Sequence, residues 1–543
     1  MFCDRRGGSR RKWRAIEQRT CTMVRGGIMR AVLLAGLSLQ QSVYAEDRPG
    51  DRHVTIAFGA EPTQVDPMRS SAGVDAYFID LFYEGLTTVQ PDLKRVNWLA
   101  ESWELGEEAG KTFIDVKIRE GVRFHNGETL TAHDYRYAYE VMRDPSNRAS
   151  GQLRYIEAVT VLSDYRFRMI FSQPDASVIP LDLILPAVPR GYFEDVGVDG
   201  VQKHPIGTGP WKFVSRKLRE ELVVERNDDY WNKDFMPGIK RLTIKIIPED
   251  TTRVAAFKTG AVDWIDAVPP AQIESFKAMP GVRVQSMAAP NNLFLSMQII
   301  NRRSATSDLR VRKAIAHAID FEAIIQYILY GQGIRTAQIA PGGVGYDPDL
   351  APYPYDPDRA RELLREAGYE RGVNLPCYNL TTPREPYIKE MGEAMFAYLG
   401  AVGIRCRIVQ LEYGAWINLI RVNARPDMDG IVNGMWGQGL PGDPTDAWSG
   451  HLHSPGDGWG TYSYYSDPKM DGLIKQLRAT MPAAEHEALA RKIARLKHEQ
   501  VAGGLPSYRP MIALAWRDTL EFTPHPGAFW RSMRGVRMME SAR

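Results

Sequence analysis

The side chains best suited to hold a small molecule lie in the second half of the sequence. Arg384 follows a predicted strand, and its planar guanidinium can bind a carboxylate through two parallel hydrogen bonds. A run of aromatic residues comes later, comprising Tyr413, Trp416, Trp436, Trp448, Trp459 and Tyr462. Flat rings suit a sugar or an aromatic solute, and packing in a core accounts for such rings as well.

Sequence patterns typical of catalysis are missing. The chain has no G-x-S-x-G nucleophile elbow, no phosphate loop and no H-E-x-x-H pair. Gly207-Thr-Gly209 lies between two prolines and lacks a third glycine, so it cannot open a dinucleotide-binding helix. His451 and His453 could bind a metal, but no further ligand stands at a recognisable spacing. We therefore predict no catalytic residue, cofactor or metal, while scattered carboxylates leave a glycosidase pair open.

Residues 1–45 have the order of a secretory signal peptide. Nine basic residues precede the short apolar run Ala31–Leu39, and Val43 and Ala45 fit the −3 and −1 positions of a cleavage site. Met23 and Met29 are alternative starts of translation. No cysteine follows the apolar run at a lipoprotein position. We expect an exported, periplasmic protein whose mature chain begins near Glu46.

The mature chain is mildly acidic. Removal of residues 1–45 takes away 9 of 68 basic and 2 of 66 acidic residues, which leaves a net charge of −5. A chain of this charge is not suited to a nucleic acid partner. Cys377 and Cys406 remain, and export permits a disulfide between them, while two buried free thiols are the simpler alternative.

Strand and helix patterns alternate throughout, which is typical of α/β lobes. Strands are predicted at Val54–Phe58, Thr112–Ile118 and Leu242–Ile247. One helix is predicted from an N-cap at Ser307 to Gly331, and another from Asp356 and Pro357 to Gly368. Residues 374–411 predict a parallel β-α-β unit.

Ten motifs in order carry a resemblance to a known family. They are Glu61–Pro67, Tyr83–Thr87, Leu99–Trp103, Phe113–Gly127, Leu130–Asp134, Pro205–Pro210, Glu225–Trp231, Gly260–Asp263, Leu309–Asp320 and Ala360–Tyr369. From about residue 54 to residue 540 the chain resembles family 5 of the bacterial extracellular solute-binding proteins, the dipeptide-, oligopeptide- and nickel-binding type.

This resemblance implies a two-lobed α/β periplasmic binding protein of the cluster C type, with an extra domain in the first lobe and a ligand cleft between the lobes. Lobe I would combine residues 47–85, 205–290 and 508–543, the extra domain would span 86–204, and lobe II would span 291–507. Hinge closure would enclose the solute, and the loaded form, which we expect to be a monomer, would dock on the inner-membrane permease of an ABC importer.

The resemblance also implies roles for particular residues. In peptide-binding relatives an arginine in a segment similar to that of Arg384 holds the ligand carboxylate. Those relatives carry an aspartate for the ligand ammonium shortly after the tryptophan that Trp436 matches, whereas this chain has Gln438 and Gly439 there. Asp443 belongs to an Asp-Pro that serves the loop itself. The predicted ligand contacts are therefore Arg384, Trp436, Gln438, Gly439, Trp459 and Tyr462.

Three hypotheses about function follow. The leading one is a peptide-class binding protein of an ABC importer. The second is a binding protein for a non-peptide solute such as an oligosaccharide or an opine-like molecule, which the missing aspartate favours. The third, from another class, is a periplasmic hydrolase, which would need a nucleophile or paired carboxylates.

Overall fold

Strands and helices alternate along the chain, in agreement with the sequence patterns. The computed structural model describes residues 53–69, 73–92, 94–145, 147, 153–178, 185–289, 292–297, 299–381, 387–420, 428–436, 443–456, 465–525 and 533–539. The predicted signal peptide lies outside the described residues. A search of the described residues found no helix long and apolar enough to cross a membrane.

The strands are β1 (His53–Phe58), β2 (Thr87–Val89), β3 (Arg95–Asn97), β4 (Ala100–Glu108), β5 (Lys111–Ile118), β6 (Ile156–Ser163), β7 (Arg166–Phe171), β8 (Trp211–Lys217), β9 (Glu221–Arg226), β10 (Arg241–Ile246), β11 (Trp264–Ile265), β12 (Val282–Ala288), β13 (Asn292–Met297), β14 (Gly333–Arg335), β15 (Val373–Leu380), β16 (Ile404–Leu411), β17 (Ile431–Trp436), β18 (Leu505–Arg517), β19 (Leu520–Glu521) and β20 (Arg537–Met538).

The α-helices are α1 (Gly73–Phe82), α2 (Ala132–Met142), α3 (Arg190–Lys203), α4 (Asp250–Lys258), α5 (Ile273–Lys277), α6 (Leu309–Ala318), α7 (Phe321–Tyr327), α8 (Pro357–Glu366), α9 (Ile388–Ala401), α10 (Tyr413–Ile420), α11 (Thr445–His451), α12 (Pro468–Ala479) and α13 (Ala483–Gln500). Short 3-10 helices include Ala176–Val178 and Pro270–Gln272.

Strand β1 lies inside a sheet, with Val54, Ile56 and Phe58 on an apolar, buried face. It pairs in parallel with β10 on one side and with β11 on the other. Val54, Ile56 and Phe58 pack into one core cluster, and Ala57 packs into another. The predicted strands at β1, β5 and β10 are confirmed to within one residue at each end.

The single helix predicted from Ser307 to Gly331 is wrong, because the segment forms two helices. The N-cap of α6 is Asp308, whose carboxylate accepts from the backbone N–H of Arg310 at 2.8 Å. Asp320 then caps α7 by accepting from Ala323 at 2.8 Å. A second cap at this point ends the first helix, although the apolar spacing continues.

The predicted β-α-β unit is confirmed as β15, α9 and β16. The two strands are parallel and in register from Val373 opposite Ile404 to Leu380 opposite Leu411. Cys377 and Cys406 form a disulfide between these neighbouring strands, with their Cα atoms 5.4 Å apart. The disulfide therefore fastens the edge of the sheet that β16 forms.

The longest strand, β18, joins two groups of strands into one sheet. The hydrogen-bonded order is β16-β15-β17-β13-β18-β11-β1-β10-β9-β8, and β12 and β14 also pair with β18. The first part of β18, residues 505–510, pairs with β13 and β14, and residues 511–517 pair with β12 and β11. We call β13–β17 with residues 505–510 the second half-sheet, and β1, β8–β12 with residues 511–517 the first half-sheet.

A separate four-stranded sheet, in the order β4-β5-β7-β6, lies between β3 and β8 in the chain. Its residues share one continuous core cluster with those of the first half-sheet, for example Phe167 with Ile244. The second half-sheet and the helices α11–α13 have core clusters of their own. We call the first half-sheet with the four-stranded sheet the first body, and the second half-sheet with α11–α13 the second body. Strand β18 takes part in both, and Met481, which follows α12, packs into the core of the first body.

Several of the family motifs meet at one buried carboxylate, that of Glu84, which is 3% exposed. Its Oε1 accepts from Trp98 Nε1 and from the Tyr230 hydroxyl, both at 2.6 Å. Its Oε2 accepts from the Thr208 hydroxyl and from Trp231 Nε1, both at 2.9 Å. Three of these four hydrogen bonds thus hold together the motifs at 83–87, 205–210 and 225–231, as expected of scaffold residues.

Candidate functional site

The parallel strands of the second half-sheet end at a common edge. Leu380 of β15 lies opposite Leu411 of β16, and Tyr378 lies opposite Val432 of β17. The segments that follow these strands therefore begin side by side. They contain Arg384, the start of α10, and the loop after Trp436, so the register brings three of the predicted segments to one edge.

The parallel strands of the first half-sheet point toward the same place from the other side. Ile265 of β11 lies opposite Ala515, so β11 runs toward the middle of β18. Asn292 of β13 lies opposite Trp436, and Leu293 lies opposite Tyr508, so β17 runs toward the middle of β18 as well. The carboxyl ends of both sets of strands consequently face each other. In α/β sheets this is where ligands bind.

The chain passes between the two half-sheets close to this place. One passage connects β12 to β13, and the other lies inside β18 between Pro510 and Met511. Arg509 donates from its Nε to the carbonyl of Ala289 at 3.1 Å, which links the two passages. Two short passages beside a cleft are the arrangement that a hinge between two bodies requires.

Tyr387 directly follows the segment that contains Arg384 and precedes α9. It adopts a left-handed backbone conformation with φ of 61°. Its ring lies 6.0 Å from that of Tyr330 in the same half. Burial raises the pKa of the Tyr387 hydroxyl.

Asp266 is a candidate that the sequence analysis missed. It follows β11 directly, at the edge that faces the second half-sheet. Its side chain is 14% exposed, and its Oδ1 lies 3.7 Å from Arg253 Nε. Burial raises the pKa of Asp266 to about 6, while the charge of Arg253 opposes the rise. A carboxylate directly after the buried pair Trp264 and Ile265 was the signal in the sequence.

Two further carboxylates, those of Glu61 and Asp66, already have partners. Glu61 bonds to Arg216 Nη2 at 3.0 Å and accepts from the backbone N–H of Arg219 at 2.6 Å. Asp66 is buried and accepts from the Met68 N–H at 2.9 Å, and burial raises its pKa. These two side chains therefore serve the loop after β1.

Asp443 holds its own loop, as the sequence analysis expected. Its Oδ1 accepts from the backbone and the hydroxyl of Thr445 at 2.9 and 2.7 Å, and its Oδ2 lies 3.4 Å from His486 Nε2. Despite burial, which acts in the opposite direction, the bonds to His486 and Thr445 lower the pKa of Asp443. The carboxylate is thus committed to the start of α11.

Two residues of the aromatic run belong to the core. Trp416 is 3% exposed, donates to the carbonyl of Asn433 at 3.0 Å and stacks on Tyr413 with ring centroids 6.0 Å apart. Trp448 is also 3% exposed and packs in the cluster of Leu452. Core packing, the alternative left open from the sequence, is correct for these two rings.

Most of the predicted ligand contacts lie outside the described residues, namely Arg384, Gln438, Gly439, Trp459 and Tyr462. Trp436 ends β17, and only its backbone is described. His453 bonds to the carbonyl of Ser454 at 2.7 Å. Within the described residues no group of three metal-ligating side chains was found.

An α/β protein with two bodies, two passages and a cleft between facing strand ends has the architecture of a two-lobed binding protein. The model of the bacterial extracellular solute-binding proteins, family 5, matches residues 94–459. The chain therefore belongs to family 5 of the bacterial extracellular solute-binding proteins, as the motifs indicated, and it is a substrate-binding component of the type that serves importers.

Relatives and solved structures agree with this assignment. The glutathione-binding protein GsiB of Pectobacterium atrosepticum is 24% identical over 371 residues, which cover 67% of this chain and 70% of the relative. The periplasmic binding protein DppA of Helicobacter pylori, solved with the peptide STSA, superposes with a TM-score of 0.74 at 22% identity over 91% and 99% of the two chains. AgaA from A. tumefacien R10, solved with agropinic acid, gives a TM-score of 0.71 at 23% identity over 90% and 99%. The two-lobed fold class predicted from the sequence is confirmed.

Proposed function

We propose that this chain is a periplasmic, monomeric substrate-binding protein that captures a peptide-class solute and delivers it to the inner-membrane permease of an ABC importer. The observation that carries the proposal is that the carboxyl ends of the strands of the two half-sheets face each other near the middle of β18. The protein works by differential binding to an open and a closed form, so it needs no catalytic group. The peptide named with DppA and the glutathione named with GsiB support the solute class.

The moving parts are the lobes expected from the sequence. Lobe I combines residues 47–85, 205–290 and 508–543 and carries the extra domain at 86–204, and lobe II spans 291–507. The passage between β12 and β13 lies at the boundary between residues 290 and 291, and the passage inside β18 lies three residues beyond the boundary between residues 507 and 508, which supports their role as the hinge. Export follows from the signal peptide at residues 1–45.

The site would bind the carboxylate of a peptide but would offer no counter-charge to its α-ammonium. Arg384 would bind an acidic group of the solute through a bidentate pair. The residues at positions 438 and 439 are Gln438 and Gly439, which carry no carboxylate. The carboxylate of Asp443 already binds Thr445 and His486. A buried ammonium without a counter-charge costs several kcal/mol. The preferred solute would therefore carry an acidic group and no free α-ammonium at this position.

An opine-like solute is the second candidate. Agropinic acid, named with AgaA, is the solute of a protein with the same fold. The absence of a carboxylate at Gln438 and Gly439 is the specific observation that favours it. Such a solute would use Arg384 in the same way and would need no partner for an α-ammonium.

Calorimetry with the peptide Ser-Thr-Ser-Ala and its N-acetylated form tests the proposal. We expect the acetylated peptide to bind at least as tightly as the free one, and Gln438→Asp to improve the binding of the free peptide selectively. Small-angle scattering should show that the protein becomes more compact with the bound peptide. Tight binding of the free peptide that acetylation abolishes would contradict the assignment of this subsite, and agropinic acid in place of both peptides distinguishes the second candidate.

A further inference from the structure

Arg478 connects the two bodies through residues that lie outside β18. It lies on α12, whose residues Leu473, Ile474 and Leu477 belong to the core of α11–α13. Its guanidinium reaches Asp175, just before the 3-10 helix whose Ala176 belongs to the core of the four-stranded sheet and the first half-sheet. The contact therefore joins an element of the second body to an element of the first.

The guanidinium is divided between the bodies. Toward the four-stranded sheet, its Nε lies 2.9 Å from Asp175 Oδ1, and its Nη2 donates to Ser177 at 2.8 Å. Toward α11, its Nη1 donates to Asp446 at 2.8 Å and to Ser449 at 3.2 Å. A planar fork with five N–H donors is the side chain that can make these bonds at once.

The pair is shielded from water. The Arg478 side chain is 13% exposed and that of Asp175 is 1% exposed. The ring of Tyr155 lies 5.5 Å from the guanidinium carbon, and Met481 packs into the core that contains Ala176. A buried ion pair that loses one partner leaves the other charge uncompensated, which is strongly unfavourable.

The same guanidinium is connected to the candidate site through its hydrogen bonds to α11. Asp446 and Ser449 lie on α11, which begins at Thr445, two residues after Asp443 and directly beyond the loop that contains Gln438. Movement of the second body away from the first would break the bonds to Asp175 and Ser177, while those to α11 could persist.

We propose that Arg478 is an inter-lobe latch whose bonds to Asp175 and Ser177 form on closure and hold α11 against the extra domain. Helix α11 directly follows residues 437–444, which we call the solute loop. Arg478 is a positioning residue, since it acts through α11 and touches no solute. This inference rests on the hinge of the proposed function. The latch sets how much of the ligand-free protein is closed and, in proportion, how tightly a solute binds.

The substitution Arg478→Gln penalises only the closed form. In the closed form Asp175 would be buried without its cation, whereas in the open form water would solvate it. We therefore expect the ratio of closed to open protein to fall at least about tenfold, in line with the loss of charge-assisted bonds. Ser177→Ala keeps the ion pair and should lower the ratio only severalfold.

The test measures distances between spin labels in ligand-free protein. Because Cys377 and Cys406 are already paired, spin labels on the mature chain attach only to the introduced cysteines, Ser163→Cys on β6 and Lys475→Cys on α12. The distance between these two labels reports the separation of the two bodies. Wild type should show a short and a long distance, and Arg478→Gln should shift weight to the long one. Arg136→Gln, which removes an exposed pair with Glu140 at 2.9 Å, is the matched control and should leave the weights unchanged.

The outcomes separate the latch from the proposed function. An unchanged ratio in Arg478→Gln, or a wild type with no short distance, would overturn the latch. Should Arg478→Gln fold poorly, Ser177→Ala and Asp175→Asn provide the same comparison, and equal ratios in all variants would overturn it too. Solute binding does not enter this measurement, so failure of the peptide calorimetry would affect the proposed function alone.

Discussion

Replacement of Glu84 by Gln should destabilise the first body strongly, because the side chain is the common acceptor for four donors. In the wild type each carboxylate oxygen accepts two hydrogen bonds, from Trp98 and Tyr230 on one side and from Thr208 and Trp231 on the other. A glutamine has one carbonyl oxygen and one NH₂ group. Whichever way the amide turns, its NH₂ faces an indole N–H that cannot accept a hydrogen bond.

The magnitude follows from these contacts. One indole N–H loses a bond to a charged group, worth about 1.5–3 kcal/mol, and the remaining bonds weaken because the acceptor becomes neutral. A hydroxyl of Thr208 or Tyr230 can rotate to accept from the new NH₂, and removal of a buried charge relieves its desolvation cost. We expect a net loss of about 2–4 kcal/mol in the free energy of unfolding.

Urea unfolding followed by tryptophan fluorescence measures this loss, since Trp98 and Trp231 are themselves donors to Glu84. Glu140→Gln is the control, because Glu140 forms an exposed pair with Arg136 and such pairs contribute less than about 1 kcal/mol. A loss below about 1 kcal/mol for Glu84→Gln, equal to that of the control, would refute the reasoning.

The remaining predictions concern the disulfide and the arginine. Cys377→Ser with Cys406→Ser should lower the free energy of unfolding by about 3.6 kcal/mol, the chain-entropy value for a separation of 29 residues, and a reductant should bring wild type to the same midpoint in urea. Equal midpoints with and without the reductant would contradict this. Arg384→Ala should weaken the binding of N-acetylated Ser-Thr-Ser-Ala about ten- to a hundredfold with an unchanged melting temperature, and an unaltered calorimetric affinity would return Arg384 to a structural role.

The sequence predicted those features whose causes are local or are repeated in many motifs. The pattern at 374–411 specifies two strands and a helix, and a parallel pair joined by a helix has few alternatives, so β15, α9 and β16 were found. Asp356 before Pro357 marked the start of α8 because cap and proline are adjacent in the chain. Ten motifs in order identified the family.

Other features depend on contacts between distant residues. Nothing near Asp320 in the sequence distinguishes a cap from a polar position inside a longer helix, so α6 and α7 were predicted as one. The four donors to Glu84 come from positions up to 147 residues away. Arg478 and Asp175 are separated by 303 residues, so their pairing depends on the packing of α12 against the 3-10 helix and leaves no local signal.

The candidate site shows the same division. The sequence alone does not distinguish Trp416 and Trp448 from Trp436 and Trp459, because a tryptophan in a core and a tryptophan at a binding site are the same residue type. Their burial decides the matter, and burial depends on residues such as Gly434, where a Cβ atom would lie 2.2 Å from the Trp416 ring. The edge that unites the predicted segments follows from strand register, which a sequence predicts only when both strands and their order are known.

A last prediction concerns pH, through the pair of His486 and Asp443 at the start of α11. Hydrogen bonds to Asp443 and to the carbonyls of Thr480 and Leu477 raise the pKa of His486 from 6.5, although burial acts against them. Bonds to His486 and Thr445 lower the pKa of Asp443 from 3.8. The stability contributed by the histidine is complete below pH 6.5 and is lost as pH rises through its raised pKa. That of the aspartate is present above pH 3.8 and is lost as pH falls through its lowered pKa.

The pair should therefore stabilise the protein most between about pH 4 and pH 6.5. Lys497 has the opposite dependence, because burial lowers its pKa to about 7 and its cost falls as pH rises from 7 toward 10.5. The effect of Lys497 cancels when the free energy of unfolding of His486→Gln is subtracted from that of wild type. This difference is measured at pH 5.5 and at pH 8.5. We expect this difference to be smaller at pH 8.5 than at pH 5.5. A difference for His486→Gln that stays constant or grows with pH would show that the imidazolium does not hold Asp443 and, with it, the end of the solute loop.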